Sequence, residues 1–150
     1  MELLSAEVGG RDLTQLMYRS RSLLRGPRAG ITADVGKILE TSRRKNRLYG
    51  VTGVLFFDGF HFVQTLEGPA KAIATLYEQI SGDSRHENIV LLNHAAVGGR
   101  CFADWAMAFV GRGDDLAFRI PSGFLSELVA GDDGVAGNLL EVMTFFLHEK

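Results

Sequence analysis

Residues 51–69 read VTGVLFFDGFHFVQTLEGP, two apolar runs joined at Asp58-Gly59. Asp-Gly between apolar runs is a strong signal for a two-residue β-hairpin of type I′. It predicts strands Val51 to Phe57 and Phe60 to Glu67, with Phe57 facing Phe60 and Gly53 facing Gln64. Both runs are apolar at alternate and intervening positions alike, as central strands covered on both faces should be. The primary amide of Gln64 is the exception, since it lies in the same row as Phe60, Phe62 and Leu66. A buried amide has two N–H donors and a carbonyl acceptor, and each one left unpaired costs about 1–3 kcal/mol. Something must answer it, and a glycine opposite leaves room for something flat.

Working outward, LTQLMYRS (Leu13 to Ser20) alternates as a strand does, and the basic, Gly/Pro-containing stretch after it reads as a loop. Thr32 is placed to cap a helix whose inner stripe is Val35, Ile38, Leu39, Ser42 and Asn46, with Gly50 as its left-handed exit. Beyond the hairpin, Pro69 opens a second helix, lined by Ile73, Leu76, Tyr77 and Ile80 and stopped at Gly82. ENIVLLNHAAV and ADWAMAFV then supply a fourth and a fifth strand. The order β-α-β-β-α-β with one strand added is a ferredoxin-like α+β fold, a mixed sheet with two helices on one face. The other face needs cover. The tail offers Phe124, Leu125 and Leu128 after Pro121, then a stripe of Leu139, Leu140, Met143, Phe146 and Leu147, so C-terminal helices are expected there. The chain divides into an extension (1–12), a main domain (13–112) and a helical extension (113–150).

The composition narrows the function. With 150 residues, 46% hydrophobic and 23% charged, there is material for one core. A net charge of −2 gives no overall field for nucleic acid or an acidic membrane. The basic clusters at Arg19, Arg21, Arg25 and Arg28 and at Arg43, Arg44, Lys45 and Arg47 are local, suited to a solvated face or to phosphate. The single cysteine, Cys101, and four scattered histidines argue against a metal site. No stretch reaches the ~18 apolar residues of a membrane span, and the amino terminus has no apolar core of a leader, so the cytoplasm is the expected location.

Tyr18, Asn46, Gln64 and the pair Trp105/Met107 share a peculiarity: polar or polarisable groups on core-facing positions. Singly, each has an ordinary packing explanation. If the first strand is central, all converge on a slot between the two helices, where a phenol, two amides and an indole suit a planar heterocycle with amide-like edges. Two other classes remain open at this point. One is a nucleotide or nucleic-acid binding module, which would stack bases on the sheet aromatics; the other is an acyl-phosphate hydrolase using Arg19 with Asn46.

Five motifs in order, LMYRSR, ETSRRKNRLYGVTGVLFFDG, FVQTLEGP, ISGDSRH and RCFADWAM, resemble the BLUF family of flavin-binding blue-light sensors from Leu13 to about Val110. The resemblance implies FAD as chromophore, with FMN or riboflavin also possible. It implies Tyr18 as electron donor, Gln64 as the switching amide and Asn46 on the flavin pyrimidine edge. Lys45 and Ile38 would lie beside the ring, Asp83 and Arg85 would help hold the flavin, and Trp105 and Met107 on strand five would change contacts near Gln64. No catalytic activity is expected of such a sensor without an effector. Output would pass through a homo-oligomer or a separate regulatory protein.

Overall fold

The computed structural model describes residues 13–111 and Glu141. The elements run β1 (Leu13–Ser22), α1 (Arg28–Tyr49), β2 (Thr52–Phe57), β3 (His61–Pro69), α2 (Ala70–Ser81), β4 (His86–Ala96) and β5 (Ala108–Gly111). They form one sheet in the order β4-β1-β3-β2-β5. Pairing is antiparallel except where β5 lies parallel to β2. This is the ferredoxin-like arrangement with one strand added. The expected cover from helices after residue 112, and the amino-terminal extension, lie outside the described residues.

Val35 and Leu39 of α1 and Ile73 and Leu76 of α2 pack with Leu16, Tyr18, Leu55, Phe57, Phe62 and Leu66 in one buried cluster, so both helices cover the same sheet face. The intervening residues Met17, Val54, Phe56, Val63 and Thr65 are also buried, which accounts for strands that are apolar at every position. Phe60 is the exception: 56% exposed, it stands in the turn and not in the core row.

The hairpin differs from its sequence reading. Phe57 pairs with Phe62, Leu55 with Gln64 and Gly53 with Leu66, a register shifted by two residues. A type I′ turn needs positive φ at both central residues, whereas here Gly59 (φ 95°) has it and Asp58 does not. Instead the Asp58 carboxylate accepts the main-chain N–H groups of Phe60 (2.9 Å) and His61 (2.8 Å), closing a longer loop over residues 58–61. Because side chains alternate with period two, this shift leaves every residue on its expected face. Gly53 makes no room for a ligand: a Cβ there would lie 2.2 Å from the Thr65 carbonyl oxygen, so the glycine permits close strand approach.

Helix α1 starts earlier than Thr32, with Pro27 at the N-cap, and it ends as expected on Gly50 (φ 71°), whose N–H bonds the Asn46 carbonyl. Pro69 closes β3 and caps α2 from outside it, and Gly82 ends that helix. The fifth strand is shorter than ADWAMAFV suggested. Trp105 and Met107 lie ahead of β5, in a run of turns that begins after β4.

Candidate functional site

A cavity opens between α1 and α2 above the sheet. Tyr18, Leu55, Phe62, Gln64 and Leu66 form its floor; Ile38, Thr41, Ser42, Lys45 and Asn46 line the α1 side; Leu76, Gln79 and Ile80 line the α2 side; Asp83, Arg85 and His86 close one end. Alternation along β1 and β3 points Tyr18 and Gln64 to the helix face, and their cross-strand pairing brings them together.

The Tyr18 hydroxyl donates to Gln64 Oε1 at 2.5 Å. On its other side the Gln64 amide donates from Nε2 to the Met107 sulfur at 3.6 Å. Burial, with lesser contributions from the Asp83 and Tyr77 charges, pushes the Tyr18 phenol far above its ordinary pKa. Tyr18 is therefore neutral at any physiological pH. Its ring lies 5.9 Å from Tyr77 and 6.1 Å from His86, centroid to centroid.

Asn46, 2% exposed, is fixed by the end of α1: its main-chain carbonyl accepts Val51 N–H at 2.8 Å, and its side-chain Nδ2 donates to the Ala106 carbonyl at 2.5 Å. Among the described residues its Oδ1 accepts no hydrogen bond. The Gln64 Nε2 meets only a thioether, a weak acceptor. Two buried amides thus carry unspent hydrogen-bonding capacity at one cavity, which is what the alternating carbonyl and N–H edge of a flavin requires. The residues fit that group.

Lys45 Nζ reaches Gln79 Oε1 at 3.0 Å, joining α1 to α2 across the cavity. Asp83 Oδ1 accepts the Arg85 main-chain N–H, and its carboxylate grips the Arg85 guanidinium with contacts of 2.6–3.2 Å. Those bonds hold the Asp83 carboxyl below its usual pKa. This ion pair ties the turn after α2, and both partners also line the cavity. His86 Nε2 faces the Ile80 carbonyl (2.7 Å) and so carries a proton, while Nδ1 pairs with the Ser20 hydroxyl (2.6 Å).

The structure brings Tyr18, Ile38, Lys45, Asn46, Gln64, Asp83 and Arg85 to one cavity, with Met107 touching it through Gln64. Trp105 does not line it; its carbonyl instead accepts Gly53 N–H at 3.1 Å. Thr41 and Gln79 were missed, although i+3 spacing from Ile38 and from Leu76 would have placed them on the facing sides, and Ser42 was read only as part of the inner stripe of α1. Glu67, fully buried on the opposite face of the sheet, gave no local signal.

A family model described as "Sensors of blue-light using FAD" matches residues 13–108. The chain belongs to the BLUF family. The BLUF match takes in every cavity-lining residue named above. Relatives include the photoactivated adenylate cyclase subunit beta of Euglena longa, 35% identical over 66% of this chain, and the blue light- and temperature-regulated antirepressor BluF of Escherichia coli K12, 39% identical over 53%. The match spans only 11% and 19% of those two proteins. Among solved structures, the dark state of the BLUF protein BlrB is 34% identical with a TM-score of 0.73, covering 89% of this chain and 96% of that one. No helix among the described residues is long and apolar enough to cross a membrane.

Proposed function

We propose that this BLUF protein is a blue-light photoreceptor that holds a flavin, FAD first among the candidates, non-covalently between α1 and α2. The observation that carries the reading is the Tyr18 hydroxyl donating at 2.5 Å to an amide whose other end rests on Met107. Asn46 Oδ1 and Gln64 Nε2 would meet the pyrimidine edge of the ring. Lys45 and Ile38 would flank it, and Asp83 with Arg85 would hold its position at the cavity end.

When bound, the flavin supplies a strong oxidant on absorbing blue light. Tyr18 is placed to give up an electron, and an oxidised phenol is a strong acid, so its hydroxyl proton moves along the short bond to Gln64 Oε1. A Gln64 proton leaves from Nε2 toward the cavity. Return of the electron and proton to Tyr18 leaves the amide reversed, by rotation or by tautomerisation. The two ends of a primary amide are nearly isosteric and opposite in hydrogen-bonding character, so reversal rewires contacts without repacking the core. After rotation Oε1 faces the Met107 sulfur, two acceptors with no proton between them, and Met107 is driven off.

One hydrogen bond contributes about 1 kcal/mol net, whereas moving an equilibrium from 1:99 to 99:1 takes about 5.5 kcal/mol. Absorbed light must therefore supply the difference, and the lit state reverts in darkness. Met107 and Trp105, ahead of β5, are the proposed lever toward a second copy or a separate regulatory protein. The sensor domain would itself perform no enzymatic step. Burial of Phe56, Phe57 and Phe62 weighs against stacking nucleic-acid bases on this sheet.

The test is an absorption spectrum of the purified, flavin-supplemented protein before and after blue illumination. A red-shifted flavin band that returns in darkness is expected. A colourless or light-indifferent protein overturns the reading.

A further inference from the structure

Glu67 is a fully buried carboxylate on the sheet face away from the cavity. Among the described residues three neutral donors satisfy it: Gln15 Nε2 at 3.1 Å, the Cys101 main-chain N–H at 2.8 Å and the Phe102 main-chain N–H at 2.9 Å. Burying a carboxylate without a salt bridge is expensive, and such charge-assisted bonds are the strong kind. The grip therefore has a reason beyond filling space. Arg100 adds to it, its guanidinium bonding Thr52 Oγ1 (2.9 Å) and the Gly50 carbonyl (2.8 Å).

What Glu67 grips is one end of the turn that leads into β5. The other end is held by two cavity residues, Gln64 on the Met107 sulfur and Asn46 on the Ala106 carbonyl, and by Arg43 Nε on the Met107 carbonyl at 2.9 Å. Ladder pairing with β2 begins only at Ala108; ahead of it this turn is held by these side chains and by one main-chain bond, Gly53 N–H to the Trp105 carbonyl at 3.1 Å. Gln64 and Glu67 share β3 on opposite faces, a fixed distance apart, and the turn straddles them.

We propose that Glu67 is a positioning residue for the photoswitch: a fixed hinge at Cys101 and Phe102 about which the Met107 end moves when Gln64 reverses. The inference rests on the photoreceptor reading above. With the hinge fixed, displacing Met107 bends the turn, and that bend drives the return in darkness. Loosening the hinge removes the restoring force.

The test is Glu67→Gln in the full flavin-loaded chain. Its amide NH2 would confront one peptide N–H, freeing one tether while the cavity stays intact. Dark recovery should slow by about tenfold with flavin binding and the initial light shift retained. Val63→Ala, a core truncation on the same sheet face, should recover at the wild-type rate. Hydrogen exchange of the wild type gives a reading without any substitution. The Cys101 and Phe102 amides should stay equally protected in dark and light, while the Gly53 amide, bonded to Trp105, should exchange faster in light. Unchanged or faster recovery in Glu67→Gln, or light-induced exchange at Cys101 and Phe102, overturns the hinge and leaves the photoreceptor reading standing. A wild type without a light response sinks both.

Discussion

The contact between Tyr18 and Gln64 can be weighed without any light. Both side chains are 4% exposed, so an orphaned partner has little access to water. Tyr18→Phe removes the donor and strands Gln64 Oε1; Gln64→Leu removes the acceptor and strands the phenol. A buried polar group left without its partner costs about 1–3 kcal/mol, so each single substitution should destabilise by about 2 kcal/mol. In the double variant neither orphan remains, so the loss should fall to the net worth of the bond, about 1 kcal/mol, and not rise to about 4. The coupling energy is then about 3 kcal/mol. At roughly 2–4 °C per kcal/mol for a chain of this size, each single variant should melt about 4–8 °C below wild type. Urea unfolding of all four proteins at one flavin concentration gives the cycle, once each variant's own flavin Kd is used to remove the binding contribution. Additivity to within about 0.5 kcal/mol would mean that the two side chains do not depend on each other, and the proton path proposed between them would lose its basis.

Three further outcomes are expected. Tyr18→Phe and Gln64→Leu should each bind flavin and lose the light-induced shift, because the side chain's shape is nearly kept while the proposed electron donor or reversible amide is not; a wild-type difference spectrum in either variant removes that residue from the mechanism. In an ultraviolet pH titration of the folded protein, Tyr18 should fail to ionise near pH 10. The raised Tyr18 pKa means that its stabilising contribution is complete below pH ~10 and is lost as pH climbs beyond it, so above that pH the stability of Tyr18→Phe should fall less steeply than that of the wild type; ionisation of Tyr18 near pH 10 in the folded state would contradict this. Gly53→Ala should destabilise by about 1–3 kcal/mol or more, since the methyl would meet the Thr65 carbonyl, and a melting temperature equal to wild type would refute the close strand approach.

The fold was legible because its signals are local: the apolar stripe and left-handed Gly50 of α1, the stripe of α2, and two doubly apolar strands. Asp-Gly misled the register because the sequence does not say whether Asp58 adopts positive φ or turns its carboxylate onto Phe60 and His61. That error spared the site, since a shift of two keeps Gln64 on the helix face. Trp105 and Met107 read as a strand by alternation. Their actual setting depends on Asn46, Arg43 and Glu67, whose hydrogen bonds join residues far apart along the chain. Glu67 itself reads as a solvated charge at a strand end; only the distant peptide groups that bind it make its burial possible.

The brevity of β5 has a mechanical consequence. Among the described residues its ladder runs along one side only, from Ala108 to Gly111. Under tension across the sheet those rungs would carry the load one after another, while the long β1, shared between β3 and β4, would carry it along two seams. In a single-molecule pulling experiment β5 should part first and at the lowest force, leaving the chromophore's bed intact behind it.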